Sequence, residues 1–570
     1  MHHVELFVLV AGAVLVAAVC RQRGWPAPLV VTGVALAASF LPFVPRYEIN
    51  SEVLLEFVLP PLLYSAALQS SYRDFRSSLN AITRLGVGLV VVSAAAVALV
   101  FWWLEPKAPF AVALVLGAVV APPDAVAATA VGRRLGLPRR VMTVLSGESL
   151  INDGTSLTLY KVALAGAATG GWAFGAGLAT FALAVVVGVA VGLGLGWVVH
   201  AGRMRVDDPV VASAIGLLTP FAAYWLAEQV LGSGVLAVVT AGLYLGHTSP
   251  RAGYATRLFE EPIWSTLDLL LESFTFALIG VQLPWVVRDV VGSHEGLGHG
   301  LELSLVVLLV VLVVRPLYVF GTAWYDNLHL HGSHRSTADR LSAREQAVVS
   351  WAGMRGVVTL AAAAAIPATT NGAPFPERAT LQLVAYVVAL GTLLLQGLSL
   401  PTVITRLRVG SSQEAADDAS QEAAMRVATA DAVQDVLERQ RPEWTRLMGA
   451  ERAETTIERL SAQWRGRAAA AAVILDPEHA EDLLPDHVDV TESRRGLGPE
   501  GRPVTGSLPT VEEGRRRLRL RREIVSAQRD VLMAHRDAGD LDEAVMRRMM
   551  RELDLEDESL SSSWLQRAAD

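Results

Sequence analysis

Apolar runs of about twenty residues follow one another from near Val4 to Leu407, and they constrain this chain more than any other feature. A run of that length, wound at about 1.5 Å per residue, crosses the hydrocarbon core of a bilayer as a helix. About thirteen runs qualify, centred near Val10, Leu36, Leu59, Val92, Val119, Ile151, Val186, Leu217, Val238, Phe274, Leu309, Thr359 and Val388. The fold class expected is therefore an all-α polytopic membrane protein. Two runs are unusual in content: the third holds Glu52, Glu56, Pro60 and Pro61, and the tenth holds Asp268 and Glu272.

Positive charge in short loops fixes which side of the membrane they occupy. Loops after odd-numbered runs carry Arg21 and Arg23, then Arg73, Arg76 and Arg84, then Arg133, Arg134, Arg139 and Arg140, then Arg203 and Arg205, then Arg251 and Arg257, then Arg335, Arg340 and Arg344. The other loops hold only Arg46, Lys107, Arg288 and Arg378. This alternation predicts an outside N-terminus and a cytoplasmic C-terminus. No basic residue precedes the first run within its flank and no small-residue cleavage pattern follows it, so it reads as a span and not a removable signal. A single cysteine, Cys20, excludes an intrachain disulfide.

Beyond Arg408 the apolar runs stop, and more than half of the 56 acidic residues lie there. The division expected is a transmembrane domain over 1–408 and a cytoplasmic helical tail over 409–570, with a Gly- and Pro-rich linker at about 493–510. The net charge of −8 resides mainly in the tail. "EEGRRRLRLRRE" interleaves both signs and reads as a solvated, ion-paired face, so no nucleic-acid partner is expected, and membrane lipid is the macroscopic partner of the spans. No phosphate-cradling motif is present and no cofactor is expected. His329, His331 and His334 fall in a polar loop without a surrounding ligand set.

Charged groups at bilayer depth cost about 2.5 to 3.5 kcal/mol each on insertion scales, which makes them functional candidates. In "SGESLINDGTSLTLY" the spacing places Ser149, Asn152, Asp153 and Ser156 on one helix face, with Glu148 at its edge. A stripe of hydroxyl, amide and carboxylate oxygens suits a hard monovalent cation, Na+ or K+, so Asp153 is the candidate ion ligand, supported by Asn152 and Ser149. Ser149 and Ser156 also fit a plain polar helix contact.

The preceding run, "LVLGAVVAPPDAVAATAV", places Pro122 and Pro123 at mid-depth. Two prolines in succession remove two donors and clash with the previous turn, so the helix breaks there. The freed carbonyls and opposed helix ends can hold a cation beside Asp153, and Asp124, at the N-terminus of the second half where a carboxylate offsets the helix dipole, is counted with Asp153, Asn152 and Ser149 among the candidate cation- and proton-binding residues. Further on, "SWAGMRGVVTLAAAAAIP" is interrupted by Gly353, Met354, Arg355 and Gly356. An odd offset between the two interrupted spans makes them cross the membrane in opposite directions, as inverted repeats do, with a binding site where the breaks meet. Arg355 needs a buried anion, and Glu148 is the candidate for a structural ion pair. Glu272 lines a cation access path or pairs with Arg315, and Glu228 is interfacial.

The run "PPDAVAATAVGRRLGLPRRVMTVLSGESLINDGTSLTLY" resembles the sodium/proton exchanger family of the monovalent cation:proton antiporter superfamily, in the branch with an Asn-Asp pair and especially its bacterial members. "LPPLLYSAALQSSYRDFR", "LAEQVLGSGVLAVVTAGLYLG" and "GMRGVVTLAAAAAIP" agree, and the likeness covers about residues 1 to 408. The resemblance implies thirteen spans, a dimerisation region, a mobile core with two crossed unwound helices, and a homodimer. It also implies Asp153 as the cation and proton site with Asn152 and Ser149 beside it, Asp124 on the unwound helix, and a Glu148–Arg355 pair. Two positions depart from the pattern: Ser65 stands where several relatives carry an acid, and Pro122 where Thr or Val is more usual.

The chemistry expected is competition at one carboxylate, since desolvation favours a neutral acid and a bound cation favours a charged one. Asp153 then holds a proton or a cation but not both. With Asn152 neutral, one Na+ exchanges for one proton without net charge movement. K+ is the alternative cargo, because oxygen ligands suit both ions. A membrane-embedded aspartyl hydrolase is a reading of another class, but neither Asp124 nor Asp153 lies in a Gly-x-Gly-Asp setting, and no His-Glu-x-x-His motif occurs. Scarce Lys with abundant Arg and Ala points to a bacterium with GC-rich DNA, and the location expected for the spans is its plasma membrane.

Overall fold

The computed structural model describes residues 2–41, 54–169, 174–206, 208–292, 296–329, 341–370, 372–410, 412–475 and 511–561. The linker expected at about 493–510, together with His331 and His334, lies outside the described residues. The described chain is almost wholly helical. It runs α1 (His2–Arg23), α2 (Ala27–Ser39), α3 (Leu59–Gln69), α4 (Tyr72–Ser77), α5 (Leu79–Leu104), α6 (Phe110–Val120), α7 (Ala125–Leu135), α8 (Arg139–Thr169), α9 (Phe174–Arg203), α10 (Pro209–Gln229) and α11 (Gly234–Thr248). It continues through α12 (Tyr254–Val291), α13 (Gly296–His329), α14 (Ala343–Trp351), α15 (Val357–Ala364), a two-residue antiparallel pairing of Thr369–Thr370 with Ala373–Pro374, and α16 (Arg378–Leu407). The C-terminal helices are α17 (Ser412–Met448), α18 (Ala450–Leu475), α19 (Val511–Ala538) and α20 (Glu543–Ser561).

Local sequence sets these boundaries. Asp208 caps α10, accepting from the Val210 N–H at 2.8 Å, and Pro209 occupies the first turn where its missing donor is harmless. Ser342 and Glu345 form a reciprocal capping box at the start of α14, and α7 ends on Gly136 in the left-handed region.

Among the described residues, six helical segments are long and apolar enough to cross a bilayer: Leu79–Leu104, Gly177–Arg203, Pro209–Gln229, Tyr254–Val291, Gly296–Asp326 and Arg378–Leu407. The apolar helices α2 and α6 are shorter, α6 because it stops at the double proline. The 31-residue α8 has the length, but carries Glu148, Asp153 and Lys161. The protein is a multi-pass membrane protein.

By its contacts the chain forms two units, 1–249 with 259–411, and 250–258 with 412–570. Within the first, α5, α6, α8, α13, α15 and α16 pack as one bundle, while α3, α9, α10 and α11 pack as another. The two bundles are joined along α8, whose Thr158 hydroxyl lies 3.4 Å from that of Ser233 at the start of α11. Charged groups at the margins of this unit pair off: Glu260 accepts from Arg203 at 2.5 Å, and Glu228 receives Lys161 and the Gly234 N–H. In the second unit α17 lies along α18 and α19, and α19 along α20. One apolar cluster there is centred on Val525, Leu532, Val545 and Met546, and another on Val433, Leu437, Trp444 and Ile524.

Helices α5 and α6 approach closely because Gly117 has no side chain. A Cβ there would stand 2.2 Å from the Ala94 carbonyl oxygen, a contact no rotamer relieves. Gly117→Val should therefore cost about 1–3 kcal/mol and lower the melting temperature in detergent. Gly194→Val, at a position with no atom within 4 Å, should leave it unchanged.

Candidate functional site

Both interrupted spans are unwound where the sequence places the breaks. α6 stops at Val120, residues 121–124 are non-helical with Asp124 extended, and α7 starts at Ala125. α14 stops at Trp351, residues 352–356 are non-helical, and α15 starts at Val357. The segments containing Pro122 and Pro123 and containing Gly353 and Gly356 touch directly, since the Asp124 backbone N–H donates to the Met354 carbonyl at 2.6 Å.

Four half-helix ends consequently meet inside an apolar core, each with unsatisfied backbone groups. A carboxylate serves the two N-terminal ends. Asp124 accepts from the Val126 N–H at 2.8 Å at the start of α7, and it also accepts from the Val357 N–H at the start of α15. Gly356 makes this fit: a Cβ there would lie 1.7 Å from the Asp124 Oδ2. Guanidinium groups serve the two C-terminal ends. Arg355 donates from Nε to the Val120 carbonyl at 3.0 Å, from Nη2 to the Ala121 carbonyl at 3.2 Å, and from Nη1 to the Gly353 carbonyl. Arg315, from the middle of α13, donates from Nε to the Val349 carbonyl in the last turn of α14 at 3.0 Å.

The ion pair expected between Glu148 and Arg355 is not formed. Glu148 instead takes both terminal nitrogens of Arg315, with Nη2 to Oε2 at 2.8 Å, and both residues are 1% exposed. The same contact removes Arg315 as a partner for Glu272. The physical reason is geometric: backbone carbonyls of the two broken helices already occupy the Arg355 guanidinium, whereas Arg315 presents its planar fork to the carboxylate. Arg315 was legible as a charge in a long apolar run, and only the packing of α13 against α14 decides its anion.

On α8 the polar stripe faces the first break. Asn152 donates from Nδ2 to the Pro123 carbonyl at 2.7 Å, and Ser156, one turn on, donates to the Ala118 carbonyl at 2.8 Å. Asn152 is fully buried and its Oδ1 accepts from no described donor, so the amide is oriented by one end and leaves an oxygen free at the other. Asp153 is 5% exposed, no described residue forms an ion pair with it, and Asp124 lies within electrostatic reach. Ser149, one turn earlier, is half-buried. The Thr359 hydroxyl in α15 is another buried oxygen without a described partner.

Two further acids continue this arrangement on α12. Glu272 is within electrostatic reach of both Asp124 and Asp268. Asp268 accepts from the Ser65 hydroxyl at 2.6 Å, so the position where the resemblance would put an acid in the third span contributes a hydroxyl to an acid from another helix. Sequence reasoning did not connect Ser65 with Asp268, which lie 203 residues apart.

Comparison with known proteins gives a consistent picture. The family described as "Sodium/hydrogen exchanger, transmembrane" matches residues 7–406. An uncharacterized Na(+)/H(+) exchanger of Mycobacterium tuberculosis (strain H37Rv) is 38% identical over 412 residues, covering 71% of this chain and 74% of that protein. The Na(+)/H(+) antiporter ApNhaP of Aphanothece halophytica is 29% identical, covering 68% and 70%. The solved sodium proton antiporter MjNhaP1 of Methanocaldococcus jannaschii shares the fold, with a TM-score of 0.55 and 20% identity, over 70% of this chain and 97% of that one.

Breaking a buried pair strands a charge at a cost of about 3–5 kcal/mol. Arg315→Met should therefore lower the melting temperature in detergent sharply, and adding Glu148→Met should recover much of the loss. Recovery by Glu148→Met in an Arg355→Met background, and not in Arg315→Met, would contradict the pairing described here.

Proposed function

The chain belongs to the sodium/hydrogen exchanger family, and from that premise we propose that it is an electroneutral antiporter exchanging one Na+ for one proton at Asp153. The observation that carries this reading is a buried carboxylate without a counter-charge beside a charge-balanced crossing of two broken helices. The neighbouring acid is engaged by helix ends and Glu148 is engaged by Arg315, so Asp153 is the group left to hold a mobile cation. Asn152 Oδ1 and the Ser149 hydroxyl complete an oxygen set suited to Na+. Asp124, held by the two half-helices, acts by shaping the crossing.

A carboxylate neutralised by a proton no longer attracts Na+, and one holding Na+ no longer binds a proton. If the bundle of α5, α6, α8, α13, α15 and α16 moves only when Asp153 is occupied, each trip carries one positive charge in either direction. Net charge movement is then zero. Glu272, with Asp268 behind it, lines the access path for cations. The full topology proposed is thirteen spans in inverted repeats, an outside N-terminus, a cytoplasmic C-terminal unit and a homodimer in a bacterial plasma membrane.

In everted vesicles with a pH dye, Na+ addition should produce proton movement that Asp153→Asn reduces to the background of vesicles lacking the protein. The initial rate should be unchanged by an imposed membrane potential at clamped pH. A potential-dependent rate would contradict the one-for-one stoichiometry, and a larger response to K+ than to Na+ would reassign the cargo.

A further inference from the structure

The second break, residues 352–356, is non-helical, and the Arg355 guanidinium caps the end of α6 only if the backbone that carries it is held in place. On one side the Asp124 N–H already fastens the Met354 carbonyl, and Arg315 fastens the Val349 carbonyl just before the break. The Arg355 N–H is left. Its acceptor lies 37 residues further along the sequence, on α16, where the Thr392 hydroxyl takes it at 3.0 Å. Thr392 is fully buried and Arg355 is 1% exposed, so no water replaces this bond if the hydroxyl is removed.

The Thr392 hydroxyl is itself oriented. It donates to the Ala389 carbonyl at 3.0 Å in its own helix, which leaves a lone pair facing the break. Directly after Thr392, α16 widens into π turns over Leu393–Gly397, and Gly397 comes so near the break that a Cβ there would stand 3.2 Å from the Met354 sulfur. A little further on, the Ser399 hydroxyl accepts from the Trp351 indole at 2.8 Å. One stretch of α16 therefore lies along the whole interruption.

The consequence reaches the site through contacts already described. Arg355 holds the Val120 and Ala121 carbonyls, and two residues on in that first break the Pro123 carbonyl takes the Asn152 amide. Moving Arg355 moves the carbonyl that orients Asn152, and with it the Oδ1 offered to a cation.

We propose that Thr392 is a positioning residue for cation binding. It acts through the Arg355 N–H, which sets the geometry of the first break and so the direction of the Asn152 oxygen. This rests on the exchange reading given above for Asp153.

The full-length protein in proteoliposomes tests this, with initial rates of Na+-driven proton movement taken per amount of monodisperse protein. Thr392→Val keeps both branches of the side chain and loses the acceptor; it should raise the half-saturating Na+ concentration about fivefold, the low end of typical coupling between sites, with the maximal rate little changed. Thr392→Ser keeps the acceptor and should keep the wild-type value. Thr392→Ala carries the same expectation as Thr392→Val and replaces it if the valine variant does not fold. A purely structural role would lower the maximal rate and leave half-saturation where it was, and that result would overturn the proposal. Wild-type Na+ dependence in the variant without a hydroxyl would also overturn it, as would a shift in Thr392→Ser equal to that in Thr392→Val. Activity of Asp153→Asn in the same vesicles would count against the exchange reading and leave Thr392 to be judged on its own variants.

Discussion

Everything at the centre of this protein depends on how four half-helix ends are satisfied where two broken spans cross. Each end exposes backbone donors or acceptors and a partial charge, in a region without bulk water to meet them. One aspartate, Asp124, covers the two positive ends, and two arginines, Arg355 and Arg315, cover the two negative ends. Arg315 carries its own anion, Glu148. The crossing is therefore balanced by side chains that are already committed, and Asp153 stands beside it without such a commitment.

Much of this was written locally in the chain. Pro122 and Pro123 remove donors wherever they stand, so the break in the fifth run needed no tertiary knowledge, and the Gly353–Gly356 interruption was readable from a different local cause, two flexible glycines flanking a charge in an apolar run. The helical spacing of Asn152, Asp153 and Ser156 also predicts one shared face, and Asn152 and Ser156 do turn together toward the carbonyls of the first break.

What was not legible is partnership across the fold. Two arginines, Arg315 and Arg355, and two glutamates, Glu148 and Glu272, sit at membrane depth, and their sequence positions do not say which meets which. The outcome turns on Arg355 spending its donors on the carbonyls of Val120, Ala121 and Gly353, a demand that exists only once both helices have unwound and crossed. Ser65 with Asp268, and Arg257 with Asp554, are long-range pairs of the same kind.

The central claim is that one carboxylate serves Na+ and the proton in turn, and the most direct measurement is proton release on Na+ binding to the purified protein in weakly buffered detergent solution. The account requires Na+ to displace up to one proton per chain in wild type, and none from Asp153→Asn. Equal proton release from the two proteins, or Na+ binding to wild type with no proton released at any pH, would contradict it.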